Sequence, residues 1–162
     1  MVEYPKYKKV LFCTDFSENA DYAFDYAYGI AKRDEGLLSI LHVIPENSHQ
    51  EFVDGFLGDQ VAEKIEHAIR EDLDTNYQER YADKIDGGIS FETVTKSGRE
   101  AEEILEFANR EQIDLIVMGT HGRTGMGHVF FGSVAEKVTR HSRIPVLIIP
   151  SGEKIRPSQE RT

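Results

Sequence analysis

A glycine-rich segment, GTHGRTGMGHVFFGS, runs from Gly119 to Ser133 and holds five glycines. It follows a short apolar run and precedes a helical pattern. Because glycine lacks Cβ and tolerates positive φ, its backbone N–H groups can come close to a phosphate. A helix N-terminus directly behind such a loop adds unpaired N–H donors and partial positive charge. The segment therefore predicts a seat for a polyanion such as a triphosphate.

Side chains of the same segment favour an anionic ligand. The Ser133 hydroxyl can donate to a phosphate oxygen, and His121 and Arg123 supply positive charge in a chain whose net charge is −10. The segment is neither a Gly-Lys-Ser/Thr phosphate loop nor a G-x-G-x-x-G dinucleotide fingerprint. A merely flexible glycine loop is the alternative interpretation.

A second unusual loop, CTDFS, spans residues 13–17. Near phosphates the Asp15 carboxylate would be repulsive unless a divalent cation intervened, and oxygen ligands suit Mg²⁺ or Mn²⁺. Asp15 could instead be a turn or capping carboxylate, which is common after strands. Cys13, the single cysteine, is interpreted as a small buried hydrophobe rather than a nucleophile. No Ser/His/Asp or Cys/His arrangement stands out.

Hydrophobic periodicity predicts the elements that position these loops. Apolar runs indicate four strands, at residues 8–14, 37–43, 115–119 and 146–149, and the alternation of apolar and polar residues over 89–96 indicates a fifth strand at an edge of the sheet, with one face in water. Helical spacing indicates a helix capped by Ser17, a long helix over 61–81 stopped by Gly87 and Gly88, and further helices over 101–108 and from Ser133. This alternation predicts one α/β domain with a parallel sheet and helices on both faces. Ligands bind such sheets beyond the carboxyl ends of the strands. If the fourth strand lies beside the first, both unusual loops meet at one crevice.

Composition limits the classes of function. The 162 residues suit one domain, and no segment approaches the roughly 20 apolar residues of a membrane span. The N-terminus lacks the features of a secretory signal, and the lone cysteine suits a reducing cytosol, so a cytoplasmic location is expected. Net acidity disfavours nucleic-acid binding. Residues 46–86 hold 12 Asp/Glu and 4 Lys/Arg, which indicates a solvated helix face or, as an alternative, an acidic docking surface.

Three separated segments resemble one known family. Gly119-x2-Gly122-x9-Gly132-Ser133 is similar to the nucleotide motif of the universal stress protein family, in particular its ATP-binding branch. VLFCTDFSENA and ILHV resemble the first two strands of that family and their exits. The resemblance covers residues 7–150. It implies a Rossmann-like three-layer α/β/α sandwich with a five-stranded parallel sheet in the order 3-2-1-4-5, with a domain over residues 1–150 and a polar tail over 151–162.

The resemblance also implies roles for individual residues. Asp15 would lie by the ribose or a metal-bound phosphate, and Val43, at the end of the second strand, would meet adenine through its backbone. The remaining nucleotide-binding positions would be Thr14, Gly119, His121, Gly122, Arg123, Gly132, Ser133 and Val134. The implied cofactors are ATP and Mg²⁺ or Mn²⁺. One departure is Cys13, because close ATP-binding relatives often have proline before the Thr-Asp pair, and cysteine could loosen the loop.

At the level of function, the resemblance implies a cytosolic stress-response protein that works as a nucleotide-responsive regulatory dimer with at most slow hydrolysis. The dimer would form by antiparallel pairing of the last strand, residues 146–149, and its protein partner is unknown. Coverage of that strand by the tail or by a helix is the alternative. A genuine ATPase or nucleotidyl-transfer enzyme on the same fold is another class of function. A module that binds partners through its acidic helix is a third, which the glycine pattern argues against.

Overall fold

The computed structural model describes residues 4–46, 59–120 and 132–150. Within these ranges strands and helices alternate along the chain. The elements are β1 (Lys9–Thr14), α1 (Glu18–Arg33), β2 (Leu37–Pro45), α2 (Asp59–Arg80), β3 (Ser90–Gly98), α3 (Glu100–Arg110), β4 (Leu115–Gly119), α4 (Ser133–His141) and β5 (Val146–Ile149). A 3-10 turn, Ala82–Lys84, follows α2.

The five strands form one parallel sheet in the order β3-β2-β1-β4-β5, as expected. β1 pairs with β2 on one side and with β4 on the other, so Val10 lies opposite both Leu38 and Leu115. The predicted adjacency of the first and fourth strands is therefore confirmed. The loops that leave these two strands start at the same edge of the sheet.

Both faces of the inner strands are buried, which explains why these strands are continuous apolar runs. Alternate residues of β1 point to opposite faces. Val10 and Phe12 join the core beneath α1 and the end of α2. Leu11 and Cys13 join a second core beneath α3 and α4. The predicted three-layer α/β/α sandwich is confirmed.

Two contacts hold the amino end of β1. The Asp114 carboxylate, just before β4, accepts hydrogen bonds of 2.8 Å from the backbone N–H groups of Lys8 and Lys9. On the other side, Gly36 passes so close that a Cβ there would lie 2.7 Å from the carbonyl oxygen of Tyr7. Only glycine fits this connection between α1 and β2. Both contacts fix β1 relative to the strands beside it.

Helix boundaries agree with the sequence at α1 and differ at α2. Ser17 caps α1, with its Oγ accepting the Ala20 N–H at 3.2 Å. α2 ends at Arg80, before the glycines that were expected to stop it. At Tyr81 the backbone leaves the helical conformation and the side chain becomes fully buried. The helix therefore ends where the Tyr81 ring becomes buried, and not at Gly87 and Gly88.

Among the residues that the structure describes, no helix is both long and apolar enough to cross a lipid bilayer.

Candidate functional site

A cavity of about 910 Å³ opens at the carboxyl ends of β1, β2 and β4. Its walls come from these strand ends, from one face of α2, and from the first residues of α3 and α4. The α2 face contributes mainly apolar side chains, including Ile65 and Ile69. Its volume falls within the range of small-molecule sites, and its position is where doubly wound sheets bind ligands.

Unequal strand pairing opens the cavity. β1 pairs with β2 only as far as Thr14 opposite His42, whereas β2 and β3 continue to Pro45 opposite Gly98. Beyond His42, the side of β2 that faces β1 has no strand beside it. Val43 lies there, buried at the cavity wall. β2 runs two residues further than predicted, so Val43 precedes the end of the strand.

The Thr14 hydroxyl belongs to a hydrogen-bonded network. Its Oγ1 lies 2.5 Å from the Tyr81 hydroxyl and accepts the Phe16 N–H at 2.9 Å. Tyr81 donates to Asp21 Oδ1 at 3.0 Å, and Arg80 holds Asp21 Oδ2 at 2.6 Å. Burial raises the pKa of Tyr81 well above its usual range, which keeps the phenol protonated as this donation requires. Thr14 lines the cavity, but its hydroxyl is used within the protein.

Phe16 gives the loop after β1 its shape. Its φ is 59°, a left-handed conformation that costs a bulky residue roughly 1–3 kcal/mol. The buried ring packs against His42, with centroids 4.6 Å apart, and against Tyr77, with centroids 5.2 Å apart. His42 in turn donates Nδ1–H to the Thr14 carbonyl over 2.9 Å. These contacts hold an otherwise unfavourable turn at the cavity edge.

Asp15 lies in this turn and lines the cavity. Its Oδ1 accepts the Ser17 N–H at 3.0 Å, which is the turn-forming role that the sequence left open. One carboxylate therefore both closes the turn and brings negative charge to the cavity.

Gly119 ends β4 beside the start of α1. A Cβ at this position would overlap the side-chain nitrogen of Asn19 and lie 3.3 Å from its carbonyl oxygen. The absence of a side chain at Gly119 thus serves the packing of α1 against β4. The sequence analysis offered only a ligand contact for this glycine, although it also lines the cavity.

The N-terminus of α4 faces the cavity. Gly132 is its N-cap, and no side chain among the described residues caps it. Gly132, Ser133, Val134 and Ala135 line the cavity. The first intrahelical bond runs from the Glu136 N–H to the Gly132 carbonyl, at 2.9 Å. The amides of the three residues between them precede the helical hydrogen-bond ladder and are the donors that a helix N-terminus offers to an anion. The predicted helix start behind the glycine loop is confirmed.

The described lining is acidic. Asp15, Asp72 and Glu100 contribute carboxylates, and none of the described lining residues is lysine or arginine. His121, Gly122 and Arg123, which the sequence assigned to the same site, lie outside the described residues, as does the tail 151–162. In the described ranges no group of three or more His, Cys, Asp or Glu is arranged to hold a metal ion.

Cys13 is buried beside the site, as expected of a small hydrophobe. Burial raises the pKa of its thiol well above the ordinary value, so the thiol stays neutral.

A parallel sheet whose cavity lies where the strand order reverses, between β1 and β4, defines a doubly wound α/β protein. Within that class the chain belongs to the universal stress protein family, whose model matches residues 6–150.

Individual relatives agree with this assignment. Universal stress protein MJ0577 of Methanocaldococcus jannaschii is 32% identical over 155 residues, which cover 88% of this chain and 94% of the relative. The solved structure of MJ0577 matches with a TM-score of 0.77 and 28% identity, covering 92% of this chain and 99% of that one.

Two further solved structures share the fold and contain a nucleotide. One is a universal stress protein in complex with cAMP, with a TM-score of 0.60, 23% identity, and coverage of 90% of this chain and 98% of that one. The other is the universal stress protein of Archaeoglobus fulgidus in complex with dAMP, with a TM-score of 0.58, 20% identity, and coverage of 89% and 98%.

Proposed function

We propose that this universal stress protein binds ATP with Mg²⁺ or Mn²⁺ in the cavity and acts in the cytoplasm as a nucleotide-responsive regulatory homodimer. The observation that carries the proposal is the N-terminus of α4, whose first residues line a cavity large enough for a nucleotide and whose first amides precede the helical hydrogen-bond ladder. The cAMP and dAMP complexes of proteins with this fold support an adenine nucleotide as the ligand.

The nucleotide would lie across the carboxyl ends of the strands. Its phosphates would accept hydrogen bonds from the α4 amides and the Ser133 hydroxyl, with Gly132 and Val134 on either side. Adenine would meet the open backbone edge of β2 at Val43, where β1 no longer pairs. The ribose would lie between Asp15 and Gly119, both of which line the cavity. His121, Gly122 and Arg123 would complete the site.

Charge supports the divalent cation. Asp15, Asp72 and Glu100 would repel a bare triphosphate, and repulsion between unit charges a few ångströms apart reaches several kcal/mol in a partly desolvated site. Asp15, together with phosphate oxygens, would help to hold a divalent cation, whose charge would offset this repulsion. Oxygen ligands of this kind suit Mg²⁺ and Mn²⁺. When bound, the cation would neutralise phosphate charge.

Hydrolysis would be slow at most. Phosphoryl transfer requires a group that orients the attacking water as well as charge stabilisation. The Asp15 carboxylate already accepts a hydrogen bond from the Ser17 N–H and would also help to hold the cation. The site therefore suits retention of the nucleotide, and retention suits regulation.

The dimer would form through β5. This strand is at the edge of the sheet and its residues from Val146 to Ile148 are only partly buried. A partly exposed apolar edge strand is a template for pairing with a second chain. Antiparallel pairing of two copies of β5 about a two-fold axis would extend the sheet across both subunits.

The test is a thermal melt of nucleotide-free protein with ATP, in Mg²⁺ or in EDTA. A ligand that binds only the folded state raises its stability by RT ln(1 + [L]/Kd), so we expect the midpoint to climb with the logarithm of ATP concentration. Asp15→Asn is expected to lose the Mg²⁺-dependent part of the rise. Ser133→Ala is expected to weaken it in both buffers.

Ser90→Ala is the matched control, because Ser90 is an exposed serine at the amino end of β3, away from the cavity. It should melt and respond as the unmodified chain does. An unmodified chain whose midpoint does not move at millimolar ATP and Mg²⁺ would contradict nucleotide binding.

A further inference from the structure

Tyr81 connects a wall of the cavity to the turn that carries Asp15. It directly follows α2, whose earlier residues Ile65 and Ile69 line the cavity. Its fully buried ring packs against Phe12 and Phe24, with centroids 5.2 and 4.8 Å apart. The end of α2 is thereby anchored in the core, while the middle of the helix borders the cavity.

Hydrogen-bond directions around Tyr81 are determined by its partners. The Asp21 carboxylate can only accept, so the Tyr81 O–H donates to it. Thr14 must then donate its own hydrogen to the Tyr81 oxygen, 2.5 Å away. This leaves the Thr14 lone pairs available to accept the Phe16 N–H at 2.9 Å. The Tyr81 hydroxyl therefore orients the group that holds the backbone of Phe16.

Phe16 has a backbone conformation that needs such support. Its φ of 59° is unfavourable for a bulky side chain, and it separates Asp15 from Ser17, the two ends of the turn. Strained conformations of this kind persist only where the surrounding contacts over-determine them. Removal of one support should let the turn sample other conformations and move the Asp15 carboxylate.

We infer that Tyr81 is a positioning residue for Asp15, acting through the Thr14 hydroxyl. We further infer that it couples the packing of the end of α2 against the core to cation-dependent nucleotide binding. The coupling half of this inference rests on the proposed function. Because coupling between two sites is reciprocal, the bound ligand should also stabilise the packing of α2 against the core. The effect of ligand binding would then extend to the acidic outer side of that helix, where Glu63, Glu66 and Glu71 are exposed.

Tyr77 provides a matched control on the same helix. It is also buried, and its ring also packs against Phe16. Its hydroxyl, however, donates to the Val94 carbonyl on β3 at 2.7 Å. Tyr77→Phe and Tyr81→Phe each remove the hydroxyl of a buried ring that contacts Phe16, but only Tyr81→Phe disturbs Thr14.

The first measurement needs no ligand. Amide hydrogen exchange, followed by NMR, reports on the Phe16 and Ser17 N–H groups that close the turn. Loss of one hydrogen bond corresponds to about a threefold to tenfold change in an equilibrium. We expect Tyr81→Phe to speed exchange at Phe16 by about that factor and Tyr77→Phe to leave it unchanged. Thr14→Ser, which keeps the hydroxyl, should exchange as the unmodified chain does.

The second measurement compares the Kd for ATP in Mg²⁺ with that in EDTA, below the melting temperature of every variant. We expect Tyr81→Phe to raise the Kd in Mg²⁺ about threefold to tenfold and to leave the Kd in EDTA nearly unchanged. Tyr77→Phe should leave both unchanged. A general loss of stability would not single out the Mg²⁺-dependent part.

Unchanged Phe16 exchange in Tyr81→Phe would overturn the positioning role, whether or not ATP binds. Faster exchange with equal rises of Kd in both buffers, or with no rise in either, would overturn the coupling to the cation. Failure of the unmodified chain to bind ATP would instead overturn the proposed function and with it the coupling, while the exchange result would still decide the positioning role.

Discussion

Replacement of Gly119 by alanine tests whether this glycine serves packing as well as any ligand. The new Cβ would overlap the Asn19 side-chain nitrogen and lie 3.0 Å from Asn19 Cγ. Overpacking of this kind costs about 1–3 kcal/mol. The lost flexibility of the unfolded chain returns about 0.4–1 kcal/mol. We therefore expect Gly119→Ala to destabilise the protein by about 1–2 kcal/mol, or roughly 3–6 °C in melting temperature for a chain of this size.

Gly29→Ala is the matched control, because Gly29 lies within α1 and a Cβ there meets nothing within 4 Å. Alanine in a helix interior is favoured over glycine by about 0.5–1 kcal/mol, so this variant should be more stable than the unmodified chain. Both variants are melted without nucleotide, so ligand contacts play no part in the comparison.

A double-mutant cycle with Asn19→Ala isolates the contact between the two residues. Without the Asn19 side-chain amide, most of the cost of Gly119→Ala should disappear, because the two shortest contacts are lost and the backbone carbonyl oxygen of Asn19 lies 3.3 Å away. A ligand-free Gly119→Ala protein that melts at or above the temperature of the unmodified chain would refute the reasoning. So would a cycle in which the two substitutions are additive.

The remaining predictions concern the sheet edge and acid stability. Light scattering should give twice the 18.4 kDa chain mass, and a monomeric unmodified chain would exclude the β5 dimer. Ile148→Pro, which removes an amide facing the outer edge of β5, should shift the dimer towards monomer. Lys32 lowers the pKa of Asp86 to about 2, below the unfolded value of about 3.9. The stability it contributes is therefore present above about pH 4 and lost as the pH falls towards 2. The urea midpoints of Asp86→Asn and the unmodified chain should differ slightly at about pH 6 and converge near about pH 2. The difference at about pH 6 should be smaller in high salt, because the Lys32–Asp86 pair is half-exposed. A difference that persists near about pH 2 would contradict a role for the Asp86 charge.

The inner strands could be predicted from the sequence because both of their faces are buried, whereas the mostly exposed edge strand β3 was indicated by its alternation of apolar and polar residues. β4 and β5 were predicted with their observed bounds, residues 115–119 and 146–149, and the other strands within two residues. The Ser17 cap was predictable for a different reason, since it depends on residues only three positions apart. The strand order came from the family resemblance and not from periodicity, which does not determine which strands are neighbours.

Contacts between distant parts of the chain could not be predicted. The spacing of Tyr77 and Tyr81 indicated an apolar helix face, but Tyr81 meets Thr14 across 67 residues and ends the helix where no glycine stands. Similarly, Gly119 gave no local sign of Asn19. The sequence assigned Thr14 and Gly119 to the ligand, and their roles inside the protein became visible only once the fold brought α1 and α2 beside them.

The middle strand of the sheet is the first to leave the ribosome. β1 can pair with β2 early, but its other side must wait for β4. The hydrogen bond from the Lys9 N–H to the Asp114 carboxylate joins residues 105 positions apart. Pairings between such distant segments form slowly and leave apolar edges open to aggregation. A growing chain that does not yet include β4 thus has a central strand that is paired on one side only. We expect such a chain to depend on chaperones until residues 115–119 are available for pairing.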